Sequence, residues 1–351
     1  MHIKLNSEDI VGEIVVDTAK QFYNEIIYNE EYYGYLYRGH GRADTYKLIP
    51  GLLRNLENLR KRKRYEFYIE ELRSLLLFYH EANKHGLYIP IVPEFFKHGL
   101  VNETNLSLII KENDWRWLSD DIIELVSLAQ HYGLKTRVLD WTRDIRVALY
   151  FACMEEINDE DMAIWCIDAE YLESIRVNDN SGEMLANIIS YRGDGDHLEK
   201  RYLIQALQQE NLPLRFWVPK YFDNENMNAQ CGVLSMWQYN LPGQKYSNVP
   251  DDIAQLRNKV SENINTFLDK PITDDSVSLD KLLLNYFNET SKMISKIRDI
   301  NKKVMRKIVI KRECQNDLLK LLQRDGYDEA RIYPGYKSVI NVVKKICGEQ
   351  F

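Results

Sequence analysis

Residues 145–152 read Ile-Arg-Val-Ala-Leu-Tyr-Phe-Ala, and apart from Arg146 they leave a helix no polar side. A helix of that kind has to be covered all round, so the chain must build layers on both sides of it. The residues that lead into it, 130–144, carry Arg137, Asp140 and Trp141 towards the same interior. Charges taken out of water are paired or hydrogen-bonded. The segment 130–152 is therefore either a structural ion-pair core or a binding site. Gly133 supplies the left-handed residue that ends the helix before it.

With 351 residues the chain has room for one large domain or two ordinary ones. A hydrophobic content of 45% and an aromatic content of 11% put it among folded proteins. The formal charge of −7 argues against coating nucleic acid through bulk charge. The N-terminal sequence lacks a basic, an apolar and a small-residue region in succession, so a signal peptide is not expected. No apolar run approaches the roughly 18 residues of a membrane span. Five cysteines (Cys153, Cys166, Cys231, Cys314, Cys347) form no close pairs. The expectation is a reduced, cytoplasmic protein with no disulfide and no membrane partner.

Periodicity predicts an opening helix over 17–30 and a strand over 35–40. A long helix over 60–83 puts Tyr65, Ile69, Leu72, Leu76 and Tyr79 on one face. Ser119 with Asp120 and Asp121 reads as the cap of the next helix. The nearly unbroken apolar run at 162–168 reads as a strand covered on both faces, and 214–218, 230–237 and 307–310 read as further strands. Residues 173–212 lean to helix. The fold class is thus α+β: a mixed or antiparallel sheet core flanked by helices. Residues 1–238 form the core, 239–305 a helical insertion, and 306–351 a strand-helix-helix return to the core.

Arg38-Gly39 lies on the strand read over 35–40. A glycine there lets a ligand's phosphates approach the backbone, and the guanidinium offers a bidentate fork; the alternative is an arginine buried against a carboxylate such as Asp140. Gln130 and His131 could supply an amide and a titrating imidazole, or be satisfied structural residues. Asp140 serves as a base, as an orienter of Arg38 or Arg137, or, with Thr142, as the cap of the buried helix. Trp141 offers a flat face for a ring, or simple packing. The basic run 60–64 is a phosphate-binding patch or a solvated helix end. There is no P-loop, no strand-linked GxGxxG, no CxxC or HExxH and no GxSxG in the sequence, and no metal is expected.

Taken together, Tyr37-Arg38-Gly39-His40, Gln130-His131-Tyr132-Gly133, Thr136-Arg137-Val138-Leu139-Asp140-Trp141-Thr142 and Gln230-Cys231-Gly232-Val233 resemble the FRG domain family. That family is named for an aromatic-Arg-Gly motif and has a QHYGxPTRLLDWT-like centre. Lys135 stands where the family usually has proline. The resemblance spans about 30–240, resumes over 307–346, and makes 1–238 the FRG-like core.

The layout is also similar to ADP-ribosyltransferases, which split NAD at the nicotinamide–ribose bond. The resemblance implies Arg38, Asp140 and Gln230 as the catalytic set, with Gly39, Gln130, His131, Thr136, Arg137, Trp141 and Thr142 contacting substrate. NAD would be the substrate, in a bacterial defence or toxin role. Gln230 occupies the position of the usual glutamate, so either Asp140 substitutes for it or the pocket binds a nucleotide without turnover. The alternative function is a non-catalytic module that senses a nucleotide, nucleic acid or phage protein, with 239–305 as a protein-partner surface.

Overall fold

The computed structural model describes residues 7–54, 64–98, 122–155, 159–174, 214–237, 278–290 and 304–347. Seven strands form one sheet in the order β1-β7-β4-β2-β3-β6-β5. They are β1 (Val11–Val16), β2 (Leu36–His40), β3 (Leu139–Thr142), β4 (Met162–Ile167), β5 (Leu214–Trp217), β6 (Gly232–Trp237) and β7 (Met305–Ile310). Only β1 and β7 run parallel; the other pairs are antiparallel. The sheet is therefore mixed and carries helices on both faces, as an α+β reading expects. All six residues of β4 and all six of β6 are buried, whereas β5 is an edge strand of intermediate burial.

The longer helices are α1 (Arg64–Lys84), α2 (Ile123–His131), α3 (Ile145–Cys153), α4 (Leu279–Thr290), α5 (Gln315–Arg324) and α6 (Tyr336–Cys347). On one face, α1, α2 and α4 join Trp141, Trp165 and Met236 in the larger apolar core. On the other, α3 and α5 pack with Tyr37, Ile164 and Ile308. Val147, Ala148 and Leu149 of α3 are buried, which explains the run with no polar side. Full burial of a Val or Leu side chain contributes about 1.5–3 kcal/mol, so the helix is held by packing rather than by propensity.

One expectation changes here. Asp144, not Asp140 or Thr142, caps α3, its carboxylate accepting from the Arg146 amide at 2.9 Å. Thr142 supports that cap by accepting from the Asp144 amide at 3.0 Å, while Asp140 sits four residues too early, inside β3. The described part of the 239–305 segment does not stand apart. Leu282, Leu283 and Phe287 of α4 are buried in the larger core, and the Leu279 amide donates to Leu48 O at 3.0 Å. The cap at Ser119, the helix-leaning stretch beyond 174 and the basic residues 60–63 lie outside the described residues. All five cysteines are free thiols. Among the described residues no helix is long and apolar enough to cross a membrane.

Candidate functional site

Alternation along β3 decides which of its side chains can reach a ligand. Leu139 and Trp141 turn into the core, and Asp140 between them is exposed. β2 lies alongside, with Tyr37 opposite Thr142, and brings Arg38 to the same place. Arg38 Nη1 donates to the Asp140 carbonyl at 2.6 Å and lies 3.7 Å from its carboxylate. Only 15% of the Arg38 side chain is exposed, against 53% of Asp140, so the cation is the fixed member and the carboxylate the open one.

α2 supplies the rest. It ends at His131, and Gly133 (φ +94°) turns the chain so that Leu134 N reaches back to Ala129 O at 3.0 Å. That turn sets Gln130 beside Asp140. The Gln130 amide donates to the Asp140 carboxylate, and the Thr136 hydroxyl donates to the Gln130 carbonyl. Thr136, Gln130, Asp140 and Arg38 thus form one continuous polar chain that opens to solvent at the carboxylate. His131 stands at its edge, where burial holds its imidazole below the ordinary histidine value against the pull of Asp140.

The other residues expected at the site are engaged elsewhere. Arg137 makes a closed pair with Glu71 of α1, their side chains 1% and 0% exposed, and its amide donates to the same carboxylate at 2.7 Å. Trp141 is buried and donates its indole N–H to Ser235 Oγ at 2.7 Å, leaving no face for a ring to stack on. Thr142 is buried and donates to Gln230 O at 2.6 Å. Gln230 follows the short helix Glu225–Ala229 instead of opening β6, and its amide donates to Ile332 O at 3.2 Å. Gly39 serves packing: a Cβ there would collide with the Ala148 carbonyl and the Ala152 amide of α3. Its small size admits a helix, not a ligand.

Two further residues belong to the site. His40 lies two positions after Arg38 on the same side of β2, and its Nε2 accepts from Arg38 Nε at 3.2 Å. Burial, then the charges of Arg38, Arg54 and Lys307, push its imidazole down to about 3, so it remains a neutral acceptor. The two-residue repeat of a strand was the signal that could have found it. Arg54 follows the turn Gly51–Leu53, whose Leu52 amide donates to Thr136 O at 3.0 Å. No local pattern marked it. Burial and the Arg54 charge push Arg38 below the usual arginine value, and Asp140 opposes them.

A site of this make-up can hold an anion or carbonyl oxygen on Arg38 and accept a hydroxyl proton at Asp140. Among the described residues Arg38 Nη2 has no hydrogen-bond partner. No group of three or more His, Cys, Asp or Glu side chains suited to a metal occurs among them. No curated protein and no solved structure matches the chain. Residues 33–161 do match the family model described as the FRG domain, and Arg38, Gln130, Thr136 and Asp140 all fall within that FRG-domain segment.

Proposed function

We propose that the Arg38–Asp140 cluster is the binding centre of an ADP-ribosyltransferase-like domain with NAD as its substrate. One observation carries this reading: among the described Arg–carboxylate pairs, Arg38–Asp140 has its half-exposed carboxylate held by the Gln130 amide, which Thr136 backs in turn. Arg137–Glu71 is sealed, whereas Arg38–Asp140 has a partly buried cation and a half-exposed carboxylate. An ion pair whose carboxylate faces water adds little to stability, because water weakens it. An open carboxylate held by Gln130 and backed by Thr136 is organised to meet a hydroxyl group.

In this reading Arg38 holds a phosphate or ribose oxygen through its free Nη2. Asp140 accepts from a ribose hydroxyl, and its negative charge favours the oxocarbenium-like state formed as nicotinamide leaves. Water or an acceptor nucleophile then adds at the ribose carbon. Gln230, committed to Ile332 O, takes no part. Loss of a shared cofactor would suit the defence or toxin role that the FRG resemblance suggests.

A second reading has its own support. Asp140 is the only carboxylate in the hydrogen-bonded chain, and no second acid stands where the usual glutamate would. The centre would then bind a nucleotide without turning it over and signal to a protein or nucleic-acid partner, with 239–305 as the surface for a protein.

The test is to incubate purified protein with NAD and measure nicotinamide. Wild type should release it, and Asp140→Asn or Arg38→Lys should reduce release by about a hundredfold, with thermal midpoints within ~2 °C of wild type. Stabilisation of wild type by NAD without nicotinamide supports the second reading. Collapse of both variants to unfolded protein would make the pair purely structural.

A further inference from the structure

Several donors gather around Arg38. Arg38 Nε already uses His40 Nε2, its Nη1 uses Asp140, and Nη2 is left over. Directly opposite Arg38 on β4 stands Trp165. Its indole N–H is buried with no acceptor among the described residues. Buried donors are nearly always satisfied, so an acceptor oxygen is missing from this corner.

Arg54 is the third donor. Its Nε donates to Ile49 O at 3.0 Å, which pins the side chain, and it has no carboxylate partner among the described residues. The turn that precedes it is tied to Thr136 by Leu52, and Lys135 packs over Gly51 in that turn. The exposed Arg54 therefore leaves from a turn that is tied to the polar chain. Lys307 adds positive charge from β7, with its ammonium 6.0 Å from the centre of the Trp165 ring, although Glu13 and Asp44 partly neutralise it at 3.6 and 3.5 Å. His40 lies among these cations and is uncharged, so it contributes no repulsion of its own.

We infer that Arg54 completes an oxyanion subsite beside Arg38, and that its occupant is a phosphoryl group of the ligand. This deepens the nucleotide reading and rests on it. Asp140 then selects for the sugar, while Arg38 and Arg54 select for the phosphate; Arg54 is the residue that separates a nucleotide from a nucleoside. Two guanidinium groups suit the task, because each can offer a planar pair of N–H donors to phosphate oxygens.

Binding of ADP, adenosine and inorganic pyrophosphate to the full chain is measured by calorimetry for wild type and Arg54→Ala. The expected result is a loss of about tenfold in affinity for ADP and pyrophosphate, with adenosine binding unchanged. Arg54→Lys should recover part of the loss. Unchanged ADP affinity in Arg54→Ala, or an equal loss for adenosine, would overturn the subsite and leave the nucleotide reading intact. Pyrophosphate binding that depends on Arg54, with ADP binding no tighter and adenosine not bound, would keep the subsite and remove the nucleotide. If wild type binds none of the three, both inferences fall.

Discussion

Arg38 and Arg137 are both arginines on apolar stretches beside an acidic partner, and only their surroundings separate an open pair from a sealed one. Arg137 meets a carboxylate from a helix that closes over it, so removing Glu71 would strand a buried charge at a cost of about 3–5 kcal/mol. Arg38 meets a carboxylate that still faces water. His40 gives the site a measurable pH signature. Its folded value near 3 lies far below the ~6.5 of an unfolded histidine. Below pH 6.5 the unfolded chain binds a proton that the folded chain refuses, so stability falls as pH drops from 6.5 towards 3. Between pH 6.5 and 5 this costs about 2 kcal/mol. Thermal midpoints measured over that range should fall in wild type and fall clearly less in His40→Gln, which keeps an acceptor for Arg38 but does not titrate there. Equal slopes in the two proteins would show that His40 is not the group responsible.

At the scale of elements, Gly39 joins β2 to α3 through an approach too close for any side chain. Gly39→Ala should therefore destabilise the fold by about 3 kcal/mol or more, lowering the thermal midpoint with no ligand present. A normal midpoint with only ligand binding lost would instead favour the phosphate-approach role. The elements themselves were legible in the chain: the featureless apolar run is the buried α3, Gly133 does end α2, and the nearly unbroken apolar run at 162–168 is the covered strand β4. Pairing across long sequence distances was not. Glu71 lies sixty-six residues before Arg137, and Ser235 lies ninety-four after Trp141. Nothing in the local sequence around Arg137 or Trp141 announces those partners. The cap of α3 was misread for a smaller reason, since Asp140 and Asp144 both precede the helix and only the end of β3 distinguishes them.

Across the whole molecule, the FRG-matched segment 33–161 holds the candidate site but not the means to fold it. It contributes β2 and β3 to the sheet, and those strands share a single registered pair, Tyr37 with Thr142. Their more extensive pairings are with β4 and β6, which lie beyond residue 161. A fragment covering 33–161 is expected to show no cooperative thermal transition by circular dichroism, whereas the full chain should melt cooperatively. A sharp transition in the fragment would mean that the motif region is an autonomous unit. β7 has a further consequence through its place between β1 and β4. While the chain is being synthesised, both flanking strands must wait with bare edges until residues 305–310 leave the ribosome. The nascent protein thus keeps open strand edges for much of its translation, and such edges are open to pairing with other chains.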